Sequence, residues 1–135
     1  CQAESGPQID LEIRDLPRRL DKVYEEIHRR SPDAKVLATG YLPLIKRGET
    51  CPYIEKIPAS DREWLARSIE RINQAVREAA QRNGAIYVLA DAALDHTACS
   101  PSPWVDFTGQ ETNSFPMHPT HAGQQAMADA LRAAL

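Results

Sequence analysis

Apolar side chains recur along this chain at two periods. From Ile13 they fall at Ile13, Leu16, Leu20, Val23 and Ile27, in steps of three and four that put all five on one stripe of an amphipathic helix over roughly residues 10–30. Pro17 interrupts the stripe. Proline fits the first helical turn but costs about 3 kcal/mol in a helix interior, so regular helix is expected from near Asp15. Ser31-Pro32-Asp33 then reads as the turn that ends it. Lys35 to Gly40, KVLATG, is a short apolar run between that turn and a glycine, which predicts a buried strand. The stretch Tyr41 to Ala59, broken by Pro43, Gly48, Pro52 and Pro58, reads as a long loop.

Ser60 precedes Glu63 by three residues, the capping-box spacing, and predicts the start of a second helix. Its stripe is Leu65, Ile69, Ile72, Val76 and Ala79 or Ala80, and Asn83-Gly84 stops it. Ala85 to Leu89 predicts a second strand. A loop from about Asp91 to Pro119 leads into a third helix, Thr120 to Leu135, with Ala126, Met127, Ala130, Leu131 and Ala134 inward. The alternation of helix and strand argues for an α/β fold with a parallel sheet covered by helices on both faces. Two apolar strands are too few for such a sheet, so residues 1–135 are expected to be the C-terminal part of a larger domain whose N-terminal portion is its first partner.

Composition narrows the function. With 42% apolar and 26% charged residues, a net charge of −3 and no cationic run longer than a pair, the chain has no footprint for nucleic acid. No apolar run is long enough to cross a membrane. Cys1, Cys51 and Cys99 are an odd number, which leaves one thiol without a partner in the chain.

In open parallel sheets ligands bind beyond the carboxyl ends of the strands, which directs attention to the loops after Gly40 and Leu89. The second loop delivers His118-Pro119-Thr120-His121 to the mouth of the last helix. A histidine there can serve as general base, or simply be a polar residue at a helix start. His118 and His121 are three apart but no third ligand is placed, so no metal site is expected. His28, beside Arg29 and Arg30, reads as solvated.

Ser114 to Gln124, SFPMHPTHAGQ, resembles the last block of the SGNH hydrolases, also called GDSL lipases and esterases. KVLATGYLPL, from Lys35 to Leu44, resembles the strand and aromatic-proline turn of the actinobacterial secreted branch of that family, and HTACSPSPWV, from His96 to Val105, resembles its cysteine-containing loop. The resemblance implies a three-layer α/β/α sandwich, no cofactor, and a serine that attacks a carboxylic ester while His118 takes its proton. It also implies secretion and an ester or lipid substrate. The serine belongs to a Gly-Asp-Ser motif near the family's N-terminus, and this chain has none; Asn73, Asn83 and Asn113 lack the Gly-x-Asn-Asp setting of the oxyanion block. The chain alone is therefore expected to be inactive.

Most members carry an aspartate three residues before the histidine, where Phe115 stands here. The secreted branch uses a main-chain carbonyl instead, which implies that the Phe115 carbonyl orients His118. Asp106 or Glu111 could add a charge if the loop folds back. The resemblance further implies a Cys51–Cys99 disulfide, the alternative being two buried thiols. Cys1 is either half of an earlier bridge or a lipidated cysteine. Trp64 could close the core, and Trp104 either faces the acyl pocket or pins its loop. The competing function is a non-catalytic lipoprotein or binding module on a degenerate hydrolase scaffold.

Overall fold

The computed structural model describes residues 1–110, 112, 113 and 115–135. In chain order the elements are helix α1 (Gln2–Arg30), strand β1 (Leu37–Thr39), helix α2 (Ala59–Arg82), strand β2 (Ile86–Val88), a 3-10 turn (Ala93–Asp95), strands β3 (Val105–Asp106) and β4 (His118–Pro119), and helix α3 (His121–Ala133). β1 and β2 pair in parallel, Ala38 opposite Tyr87, whereas β3 and β4 form a separate antiparallel bridge.

Helix α1 starts well before Asp15, where the sequence places its onset, and runs through both Pro7 and Pro17. Contacts with α2 hold the early turns. The N-terminal amine of Cys1 and the amide of Gln2 both donate to Asp61, each at 2.9 Å, and Asp10 pairs with Arg71. The Asp10–Arg71 and Asp21–Arg82 pairs share one sequence separation, 61 residues, so α1 and α2 lie side by side and parallel.

Helix α2 begins after Pro58, and the expected capping box is not made. Ser60 lies inside the first turn while Glu63 accepts from Arg47 at 2.7 Å. The ion pair takes up the Glu63 carboxylate that a capping box would have used. The helix ends at Asn83-Gly84 as its sequence predicts. Its most buried residues are small, Ala66, Ser68, Ala75, Ala79 and Ala80, and of these Ala79 and Ala80 pack against Tyr24 of α1.

The core has three parts. Tyr24, Ala79, Ala80 and Ala85 join α1 and α2 to the strand face carrying Ala38 and Tyr87. Leu42, Leu44, Ala93 and Val105 pack under Trp104 and Met127. Ile45, Ile54 and Ala66 surround Cys51 and Cys99, which are joined in a disulfide. With its two cysteines 48 positions apart in the sequence, that bridge contributes about 4 kcal/mol through loss of unfolded-chain entropy. Cys1 is exposed and free. Helix α3 buries only Gly123 fully; Ala126, Met127, Ala130, Leu131 and Ala134 are half-buried rather than enclosed.

Candidate active site

The rim after β1 is built around Gly40. A Cβ at that position would stand 2.1 Å from the Tyr87 hydroxyl and 3.2 Å from Asn73 Oδ1, so only glycine lets the strand end pass between them. One residue on, the amide of Tyr41 donates to Asn73 Oδ1 at 2.7 Å, and Asn73 Nδ2 donates to the Tyr41 carbonyl at 2.8 Å. Asn73 on α2 thus serves the departing chain as a strand neighbour would. Its sequence gives one signal, a lone amide on a stripe of apolar and charged positions, and that signal does not reveal its partner.

Facing this rim, β4 carries His118, directly opposite Asp106 of β3. The Met117 amide donates to the Asp106 carbonyl at 2.7 Å, and Met117 has the left-handed backbone value φ 66°. That reversal folds the chain back on itself. The imidazole Nδ1 then lies 3.1 Å from the carbonyl of Pro116, not from that of Phe115. The acceptor is one residue later than the resemblance implies because the left-handed turn at Met117 brings the carbonyl two residues before the ring, rather than three, beneath it. A carbonyl can only accept, so Nδ1 donates and Nε2 presents its lone pair outward. Phe115 itself is 77% exposed, its ring 6.2 Å from that of His118 and tilted to it.

His118 is exposed and opens onto a cleft of about 440 Å³ between the β1 rim and α3. Tyr41, Leu42, Met117, Met127 and Leu131 supply its apolar lining, and no charged side chain contributes among the described residues. Thr120 caps α3 by accepting from the Gly123 amide at 3.1 Å while its hydroxyl donates to the Pro103 carbonyl at 3.0 Å. Gly123 must lack a side chain here, since a Cβ would meet the Trp104 carbonyl at 2.2 Å.

Trp104 pins its loop and is not part of this cleft. Its ring stacks on His96 at 4.1 Å and 6°, and His96 Nδ1 donates to the Ser102 carbonyl at 2.7 Å. His121 is exposed and borders a different hollow with Pro103 and Thr112. Trp64 packs between the helices, its indole N–H buried and without a partner among the described residues. Among the described residues no group of three His, Cys, Asp or Glu could hold a metal ion.

Asp106 does not turn toward His118. Its carboxylate is buried, at 4% exposure, and is taken up by its own loop. Oδ1 accepts from the amides of Thr108 and Gly109, at 3.1 and 2.8 Å, and from the Thr108 hydroxyl at 3.1 Å. Oδ2 accepts from the Thr112 amide and hydroxyl at 2.9 and 3.0 Å. Burial by itself would raise its pKa, but these donors, with the Thr112 and Gly109 amides foremost, outweigh it and hold the value at about 2. Glu111, the other carboxylate with a conceivable charge role, lies outside the described residues.

Comparison with known proteins follows the same outline. The sequence profile of the GDSL-like Lipase/Acylhydrolase family matches residues 2–126. Lipase 1 of Streptomyces coelicolor is 30% identical over 112 residues, which cover 81% of this chain and 40% of that protein. Lipase 2 of the same organism is 31% identical over 136 residues, covering 96% and 46%. Two crystal structures share the fold. Phospholipase A1 from Streptomyces albidoflavus NA297 superposes with a TM-score of 0.79 at 23% identity, over 98% of this chain and 58% of that one. The extracellular lipase of Streptomyces rimosus gives 0.80 at 24% identity, over 96% and 56%. The chain therefore spans about half the length of the relatives it matches.

Proposed function

Because the chain belongs to the GDSL-like lipase/acylhydrolase family, we propose that it supplies the general base, His118, of a secreted carboxylic-ester hydrolase. The observation that carries this reading is the geometry of that imidazole. Nδ1 is tied to the Pro116 carbonyl, and Nε2 is left free beside an uncharged, largely apolar cleft that suits an acyl chain. A serine from a segment outside this sequence is the nucleophile in this reading, and residues 1–135 are the C-terminal part of one three-layer α/β/α domain. The superpositions over about half of each relative support that division.

The proton balance is simple. As serine Oγ bonds to the ester carbonyl carbon, its proton passes to Nε2 and the carbonyl oxygen becomes an oxyanion. Collapse expels the alcohol oxygen, which takes the proton back from the imidazolium. Water repeats both steps on the acyl-enzyme and regenerates the serine. The neutral Pro116 carbonyl fixes the tautomer but stabilises the imidazolium less than a carboxylate would. No cofactor enters this sequence of steps. The disulfide supports an oxidising compartment outside the cytoplasm, as does likeness to an extracellular lipase.

The test is hydrolysis of p-nitrophenyl esters by the longer protein that carries this chain. His118→Ala is expected to lower kcat/KM by roughly a thousandfold or more with the melting temperature unchanged. Phe115→Ala, which keeps every backbone carbonyl, is expected to stay within about threefold of the parent, because the lost ring is already exposed. Parental activity in His118→Ala sinks the assignment, and absence of ester hydrolysis in the parent protein favours a binding module.

A further inference from the structure

The carboxylate of Asp106 is the most heavily bonded side chain next to the site, and the hydrolytic steps do not use it. It is buried, has no cationic partner among the described residues, and gathers five donors from positions 108 to 112. The same residue is the register partner of His118, and its carbonyl receives the Met117 amide at 2.7 Å. Between the two strands, among the described residues, the backbone enters the left-handed region at two residues other than glycine, Asn113 (φ 48°) and Met117 (φ 66°). Such conformations are costly and persist only where surrounding bonds over-determine them.

We propose that Asp106 is a positioning residue for His118: by gathering Thr108, Gly109 and Thr112 on its side chain and receiving Met117 on its main chain, it holds the reversal that presents the Pro116 carbonyl to Nδ1. This rests on the reading of His118 as the base. A buried carboxylate is suited to the task because each oxygen can accept from more than one donor, so one side chain organises both ends of a short loop. An imidazole displaced by about 1 Å loses on the order of a hundredfold in rate, while an apolar cleft bordered mainly by the β1 rim and α3 still binds substrate. Loss of Asp106 should therefore appear in kcat, not KM.

The experiment uses the longer protein and p-nitrophenyl butyrate. Asp106→Asn keeps the side-chain volume but turns one acceptor into a donor, so in either amide orientation at least one backbone N–H loses its partner. The expected result is a kcat at least tenfold lower with KM within twofold. In a His118→Ala background the same substitution should change the residual rate less than twofold, because the two residues act through one group. A single variant with kcat within twofold of the parent overturns the proposal, and so does a tenfold loss that persists without His118. If Asp106→Asn does not fold, the pair Thr108→Val and Thr112→Val removes two hydroxyl donors and leaves the amides in place. A kcat at least threefold lower in that pair supports the proposal, and a smaller change overturns it. Failure of the base reading shows separately, as parental activity in His118→Ala, and takes this proposal with it.

Discussion

Asp106 and His118 stand in opposite settings: one holds its charge inside the protein, and the other keeps a nitrogen free at its surface. The first leaves a signature in stability. Because the folded pKa of Asp106, about 2, lies below its ordinary 3.8, the folded state binds the proton more weakly than the unfolded chain. Its contribution is complete above pH 4 and is lost as pH falls through 2. In acid melts of the longer protein, the parent should therefore lose more stability between pH 4 and pH 2 than Asp106→Asn does. Equal slopes over that window would show that the carboxylate is not held by these donors. The place of the histidine at the mouth of the last helix was legible in the sequence because a block of eleven residues frames it. Its acceptor was not, since choosing Pro116 over Phe115 depends on a left-handed Met117 that no side-chain pattern announces. Asp106 did leave a trace. Asp, Thr and Gly at 106, 108 and 109 are residues that bond their own backbone in turns, and that spacing could have marked the loop.

Among the elements, α1 shows how packing overrides local preference. Proline at position 17 forgoes a main-chain bond and crowds the turn before it, yet the helix continues from Gln2 to Arg30 because α2 lies parallel to it along their shared length. The sequence rule was sound, and the neighbour outweighed it. Pro17→Ala restores the missing donor without disturbing a buried contact, since Pro17 is only half-buried. It is expected to stabilise the longer protein by about 1–3 kcal/mol, read as a higher melting temperature or denaturant midpoint. A lower midpoint would mean that α1 bends at residue 17 in a way its partner requires. Periodicity located α2, and two short apolar runs located β1 and β2, but the strands are less buried than expected: Leu37 and Ala38 are half-buried, Thr39 and Ile86 are exposed, and only Val88 is enclosed. Both signals missed β3 and β4, two-residue strands whose pairing is set by where the loops meet, with nothing local to report it.

At the scale of the whole molecule, the parallel sheet has two strands of three residues, and β1 is paired along one edge only. Among the described residues no strand lies beside its other edge, and Thr39 at its end borders a cleft lined by Met127 and Leu131 of α3. Helix α3 buries one residue fully, and Leu135 just beyond it is 75% exposed. A parallel sheet of this kind is stable when both faces are covered and its edges are paired or protected, because its backbone and apolar side chains both need partners. Apolar surface at roughly 25 cal/mol per Å² drives whatever is available to cover it. The 135-residue chain in isolation should therefore bind an apolar fluorescent dye and elute as more than a monomer, whereas the longer protein should be dye-silent with a single cooperative melt. Sedimentation and dye titration on both would decide it. A monomeric, dye-silent isolated chain that melts cooperatively would mean that β1 and α3 are satisfied within these residues, and the division of one domain into two parts would have to be given up.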